Sequence, residues 1–226
     1  MWLVCDNNNV MWLVCDNSNV MWLVCDNNSN DWSLVVLYCD ASIVFWFVDV
    51  PPDKCYYVTI GLICSMFGDW FLTWFKRYFI YGVVSFALAH VAYIAAVGLH
   101  PLHLNSQTFY LFATIAFLLV IVVCTRLPEP KLIPAVFVYI CIICTMAWRA
   151  CEYHIRLQTS ASGMVFAGAL VFMLSDFCIF VNQWVRRVSR GKLVIMLTYY
   201  TAQALFAAAV LMPSLNILMG RSQHHM

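Results

Sequence analysis

Charge is what this sequence has least of: 10% of its 226 residues are Asp, Glu, Lys or Arg, against about a quarter in soluble globular domains. With 64% of residues hydrophobic, a water-facing fold has too few polar groups to cover itself, which excludes the ordinary soluble classes. Net charge is nearly absent as well. At +1 there is no domain-scale basic surface to displace counterions from phosphates, and nucleic acid is excluded as a partner. A disulfide framework is also missing. The eleven cysteines are odd in number, irregularly spaced and mostly set in apolar runs, where thiols behave as small hydrophobes. Cys141 and Cys144 form a CxxC, but its mid-helix, apolar setting reads as packing rather than metal or redox chemistry. The amino end lacks the basic segment of a signal peptide.

What the chain does have is a succession of apolar stretches near or above the roughly 18 residues needed to cross a bilayer, separated by short charged turns. The expected fold is all-α, a polytopic transmembrane bundle of about seven helices. These are read at 33–50, 54–75, 78–99, 108–126, 132–150, 161–184 and 192–212. The first is interrupted by Asp40 and Asp49 and stopped by Pro51 and Pro52, which cannot continue a helix. Residues 1–30 are a tandem decapeptide, MWLVCDNNNV, MWLVCDNSNV, MWLVCDNNSN. Its five-residue apolar units cannot span, so it reads as a duplicated, disordered tail. The bundle is expected over 31–215, followed by a short tail at 216–226. Basic residues fall in alternate loops: Lys76 and Arg77, then Arg126 and Lys131, then Arg186, Arg187, Arg190 and Lys192. The positive-inside rule makes those loops cytoplasmic. With seven helices the tail is cytoplasmic too, and glycosylation at the sequon Asn27-Asn28-Ser29 would test that placement. Topology alone accounts for the 186–192 cluster, although anionic headgroups would also suit it.

Ionisable groups at membrane depth cost about 2.5–3.5 kcal/mol each on insertion scales, so each needs a reason. Asp69 in CSMFGDWFLTW and Asp176 in VFMLSDFCIF are such groups, with no Lys or Arg within one helical turn. His90 and Tyr93 share a helix face at a spacing of three, as do Tyr199 and Gln203 at four, and Tyr200 reaches Gln203 at three. At about 1.5 Å per residue, Asp69 lies roughly 9 Å and Asp176 roughly 12 Å below the basic face, with Tyr199 at about 10 Å and His90 and Gln203 at about 16–18 Å. Four helices thus bring two carboxylates, an imidazole, phenols and a carboxamide to one slab, as the lining of a common cavity. Two carboxylates in a low-dielectric site cannot both ionise easily, which leaves one acid and one base. That pair can protonate an unreactive atom, stabilise the cation and activate water. The plainer alternative is that each Asp only makes helix-to-helix hydrogen bonds.

These residues resemble the YhhN-like family of integral membrane lysoplasmalogenases, from about Tyr57 to Leu211. The resemblance is carried in order by SMFGDWFLTW, YFIYGVVSFALAHVAYIAAVGL, TMAWRA, GALVFMLSDFCIF and LTYYTAQAL. Members usually have eight helices, whereas here the repeat and the interrupted helix stand where the first two are expected. The resemblance implies an ether hydrolase that cleaves the vinyl ether bond of lysoplasmalogens. The products are a fatty aldehyde and glycerophosphoethanolamine or glycerophosphocholine. It implies a lysophospholipid substrate held within the bilayer, membrane lipids as surroundings, no cofactor and no metal. It also implies an endomembrane location such as the endoplasmic reticulum. Asp69 and Asp176 would be catalytic, with His90, Tyr93, Tyr199, Tyr200, Gln203 and Ser175 supporting or positioning the substrate. His100 and His103 form an HxxH in a proline-containing loop and read as loop residues.

A proton-coupled transporter would use the same intramembrane Asp, His and Tyr residues and is the main alternative. It ought to carry broken helices and an internal repeat of its helical half. A seven-helix receptor rests on helix count alone. An intramembrane aspartyl protease is disfavoured because Met66 stands where its GxGD motif needs the first glycine.

Overall fold

The computed structural model describes residues 55–73, 75–100 and 106–223, so the decapeptide repeat and the helix expected over 33–50 lie outside the described residues. Among the described residues there are six α-helices and no strand. They are α1 (Cys55–Thr73), α2 (Phe75–Val97), α3 (Gln107–Arg126), α4 (Ile133–Leu157), α5 (Ser160–Phe180) and α6 (Gly191–Gln223). α2 is kinked at Tyr78, a 3₁₀ turn at Pro130–Leu132 leads into α4, and a π-helical turn at Val181–Val185 follows α5. Five of the six are long and apolar enough to cross a membrane, and the apolar stretch of α1 is the shorter Tyr56–Leu72.

Two helices run further than expected. α4 continues to Leu157 through Glu152, His154 and Arg156, and stops at Gln158 in the left-handed conformation (φ 50°). Its last turns carry basic groups, which suit the negative end of the helix dipole, so charge there does not end the helix. α6 continues to Gln223 past Pro213, a residue that removes one backbone hydrogen bond but is tolerated in apolar helices with packed neighbours. The starts are sharper. Ser106 Oγ accepts the Phe109 N–H at the head of α3, and Thr159 and Ser162 form a reciprocal capping box at the head of α5, satisfying donors that the first turn leaves open.

α1 and α2 form one hairpin and α5 and α6 another. α4 packs against α2, α3 and α5, and α6 closes back on α1. Small residues decide how near the hairpin partners come, as expected where lipid supplies no hydrophobic drive between helices. Gly61, Ser65 and Gly68 recur at helical spacing on α1, and all three are buried. A Cβ on Gly68 would stand 2.7 Å from the Phe86 ring, and one on Gly61 only 2.2 Å from the Tyr93 ring. In the second hairpin, a Cβ on Gly168 would meet the Ala202 carbonyl at 3.3 Å. Ala89, His90, Ala147, Phe172 and Ala202 are fully enclosed at the centre, whereas Leu88, Val91, Leu111, Phe117, Leu174 and Leu197 face outward. An outward belt of that size would be an aggregation surface in water and is the ordinary surface of a bundle in lipid.

The Gly61 seam makes a direct prediction. Tyr93 is held on its other side by Phe206, stacked at 4.2 Å between ring centroids and 12° between planes, so its ring cannot retreat. Gly61→Val therefore costs about 1–3 kcal/mol of stability through overpacking, read as a lowered thermal midpoint in detergent. An unchanged midpoint would mean that the α1 to α2 contact is looser than described.

Candidate active site

The site is assembled from the three helices that meet at the centre of the bundle. Asp176, near the carboxyl end of α5, accepts a 2.5 Å hydrogen bond at Oδ2 from the hydroxyl of Tyr139 on α4. The same hydroxyl lies 2.9 Å from Nε2 of His90 on α2, and His90 Nε2 stands 3.7 Å from Asp176 Oδ2. His90 is fully buried, while the Asp176 side chain keeps 18% of its surface open. The imidazole is fixed by the edge of Phe172, 4.7 Å away between centroids, and by the Tyr139 ring at 5.4 Å. Phe172 and Phe86 both pack on Tyr199 of α6, and Tyr200 packs on Tyr199. One turn along α2, the Tyr93 hydroxyl donates to Oε1 of Gln203 at 2.7 Å, with both residues buried.

The sequence-predicted residues therefore fall into groups. His90 and Asp176 share one network, and Tyr93 and Gln203 form a second pair beside it. Asp69 on α1 encloses its Oδ2. Ser175, fully buried, is turned to α6, where its hydroxyl donates to the Ile195 carbonyl at 3.2 Å. Tyr199 packs against Phe86 and Phe172, and Tyr200 against Tyr199. His100 is exposed, and its backbone carbonyl accepts from Arg156 at 3.4 Å; His103 lies outside the described residues. Cys144 is buried and Cys141 exposed, both as free thiols.

Two residues had escaped sequence reasoning. Tyr139 joins His90 to Asp176, yet a tyrosine in VFVYICII looks like one more apolar position. Depth was the available signal: six residues into α4 from the basic loop, at about 1.5 Å per residue, is about 9 Å, the depth expected for Asp69. Arg149, inside TMAWRA, is 2% exposed. Its Nε and Nη2 donate to the Gly98 carbonyl at 3.2 and 3.0 Å, and its guanidinium lies 5.4 Å from the Trp148 ring centroid.

A cavity of about 110 Å³ opens beside the network. Leu119, Val123, Ile140, Ile143, Met173 and Phe180 give it apolar walls, and Asp176 and Tyr139 bring oxygen atoms to it. At one end it reaches Phe79 and Trp184, and Trp184 belongs to the π-helical turn that leads into the basic loop at Arg186 and Arg187. Such a chamber suits a single apolar chain with a polar group held at the carboxyl.

The profile of the YhhN family matches residues 35–210. The chain belongs to the YhhN family. Curated relatives of this YhhN chain include the lysoplasmalogenase TMEM86A of Homo sapiens, 36% identical over 162 residues, covering 66% of this chain and 63% of that protein. The lysoplasmalogenase TMEM86B of Sus scrofa is 33% identical over 150 residues, covering 66% and 61%. That of Mus musculus is 30% identical over 192 residues, covering 80% and 76%. The YhhN chain spans about three fifths of the length of the first two relatives. No solved structure matches it. Family membership and five apolar helices of spanning length make it an integral membrane protein.

Proposed function

We propose that this YhhN chain is a lysoplasmalogenase that hydrolyses the vinyl ether bond of a lysophospholipid lying in the bilayer. The observation that carries the reading is the Asp176 carboxyl, tied to Tyr139 and His90, opening onto an otherwise apolar cavity inside the bundle. The names of the relatives support the same substrate. The alkenyl chain would lie among Leu119, Ile143 and Met173, with the headgroup toward Trp184 and the basic loop.

Vinyl ether hydrolysis begins with protonation of the β-carbon, the difficult step, which creates an oxocarbenium ion. Asp176, the member of the pair that lines the cavity, supplies that proton as its carboxylic acid. Asp69 remains ionised, steadies the cation and takes a proton from the water that attacks the α-carbon. The resulting hemiacetal collapses as its C–O bond to glycerol breaks. The glycerol oxygen gains a proton and the hemiacetal hydroxyl loses one, leaving an aldehyde and the glycerophospho-base. His90 orients the acid, Tyr93 and Gln203 stand beside it, Tyr199 and Tyr200 back the aromatic wall, Ser175 supports the site by tying α5 to α6, and no cofactor or metal takes part. The endoplasmic reticulum is the proposed location.

The test is to reconstitute the protein in lipid and measure aldehyde release from a lysoplasmalogen and from its saturated ether analogue. Release from the vinyl ether alone is expected. Asp69→Asn should lower kcat by about 10²–10³-fold, the usual loss when a group that stabilises transition-state charge is removed. If no aldehyde forms and a proton gradient instead drives solute uptake, the transporter reading replaces this one.

A further inference from the structure

The Tyr139 hydroxyl carries one proton and touches two partners. With that proton directed to Asp176 Oδ2 at 2.5 Å, the 2.9 Å contact with His90 Nε2 can be a hydrogen bond only if the imidazole donates. Neutral His90 then has its proton on Nε2 and a bare Nδ1. Nδ1 is enclosed and has no hydrogen-bond partner among the described residues. A buried polar atom left open in one protonation state calls for a role in another.

We propose that His90, Tyr139 and Asp176 form a proton relay in which a proton arriving at Nδ1 of His90 is delivered as a proton on the Asp176 carboxyl. The steps balance. Nδ1 gains a proton from a hydronium ion of the solvent, Nε2 passes its own to the Tyr139 oxygen, and Tyr139 passes its hydroxyl proton to Asp176 Oδ2. The imidazole ends neutral with its proton on Nδ1, Tyr139 ends as a neutral phenol donating to Nε2, and Asp176 ends as a carboxylic acid. Once Asp176 has spent that proton and Asp69 has released its own to solvent, the imidazole proton returns from Nδ1 to Nε2 by exchange through water and the phenol turns back to the carboxylate. This rests on Asp176 being the acid of the proposed reaction. Each turnover leaves that carboxyl deprotonated and Asp69 protonated, so the acid must be reloaded. The groups that bear on the relay are Tyr93 on α2 itself, 6.5 Å from His90 between ring centroids, Tyr139 from α4, Asp176 from α5, and Asp69 from α1, the helix paired with α2. Gln203 from α6 engages Tyr93 and not the imidazole. His90 and Tyr139 act through Asp176 and are positioning residues.

The relay can be read without catalysis. In protein labelled with ¹⁵N-histidine and reconstituted in nanodiscs, the His90 signal is assigned by its absence in His90→Gln. At high pH the proton is expected on Nε2. As pH falls through the protonation of Asp176 it should move to Nδ1, and the ring should stay neutral. Tyr139→Phe keeps the ring in the cavity wall, removes the bridge and should abolish that coupled switch. A wild-type tautomer that stays constant through the titration, or the same switch in Tyr139→Phe, overturns the relay. On vinyl ether substrate, Tyr139→Phe and His90→Gln should each lower kcat about tenfold or more with KM little changed, and the double variant should be no slower than the slower single one. Losses that multiply, or that appear in KM alone, overturn it too. If the wild type releases no aldehyde, the proposed reaction fails while the ¹⁵N titration still decides the relay.

Discussion

Asp176→Asn lowers the rate of aldehyde release by about 10²–10⁴-fold, the usual contribution of a positioned acid or base, with KM and thermal midpoint close to wild type. The argument rests on what the substitution leaves intact. Asn is the same size, and its Oδ1 still accepts the Tyr139 hydroxyl that now lies 2.5 Å from the carboxylate. The cavity walls of Leu119, Ile143 and Met173 are untouched, so the chain that anchors substrate binds as before. Only the transferable proton is gone. A loss confined to kcat is the signature of an interaction made in the transition state. Retention of more than about a tenth of wild-type kcat would remove Asp176 from the role of acid, because that exceeds what a missing general acid permits. A fall in thermal midpoint alongside the loss would instead mark Asp176 as a helix-to-helix tie.

Arg149→Met lowers stability by about 1.5–3 kcal/mol, the range for hydrogen bonds that involve a charged group. The guanidinium is buried near the carboxyl end of α4 and grips one acceptor with two donors, the Gly98 carbonyl at 3.2 and 3.0 Å. Gly98 is where α2 ends. Its φ of 90° is a left-handed conformation that a side chain would resist, and its N–H still bonds to the Ile94 carbonyl at 2.9 Å. The chain turns out of the helix there, and Arg149 holds the turn against α4. Next to it Glu152 accepts a hydrogen bond from Thr108 of α3, so polar contacts tie α2, α3 and α4 at this end alongside the apolar packing of Phe109 on Trp148. Methionine fills the volume and supplies no donor. Arg149→Lys retains the charge but offers a point donor where the fork was, and should recover only part of the loss. Unfolding in mixed detergent micelles measures both variants. Wild-type stability in Arg149→Met would show that Gly98 holds its turn without help.

The spans were legible because the bilayer sets their length and composition, and hydropathy reports both directly. The expectation of one layer for Asp69 and Asp176 has the same origin, since a helix rises about 1.5 Å per residue and alternate loops mark a common face. His90 and Tyr93 were correctly set on one face of α2 by their spacing alone. Their partners were not, because spacing says nothing about which neighbour a face meets. That choice follows from helix rotation and approach, which here depend on Gly61, Ser65 and Gly68 against α2 and on Gly168 against α6. Tyr139 was hidden for a related reason: a phenol in an apolar run becomes polar machinery only when a carboxylate and an imidazole are brought to its hydroxyl. Arg149 was hidden because its partner is a backbone carbonyl, which every residue has and no motif announces.

The sequence by itself determined the solvent of this protein and its apolar helices, which follow from local composition and the length a bilayer demands. Only the tertiary structure decided that Asp176 opens onto the cavity, that Tyr139 links it to His90 and that Ser175 serves α6. Those are contacts between segments far apart in the chain, set by how closely the small residues let the helices approach.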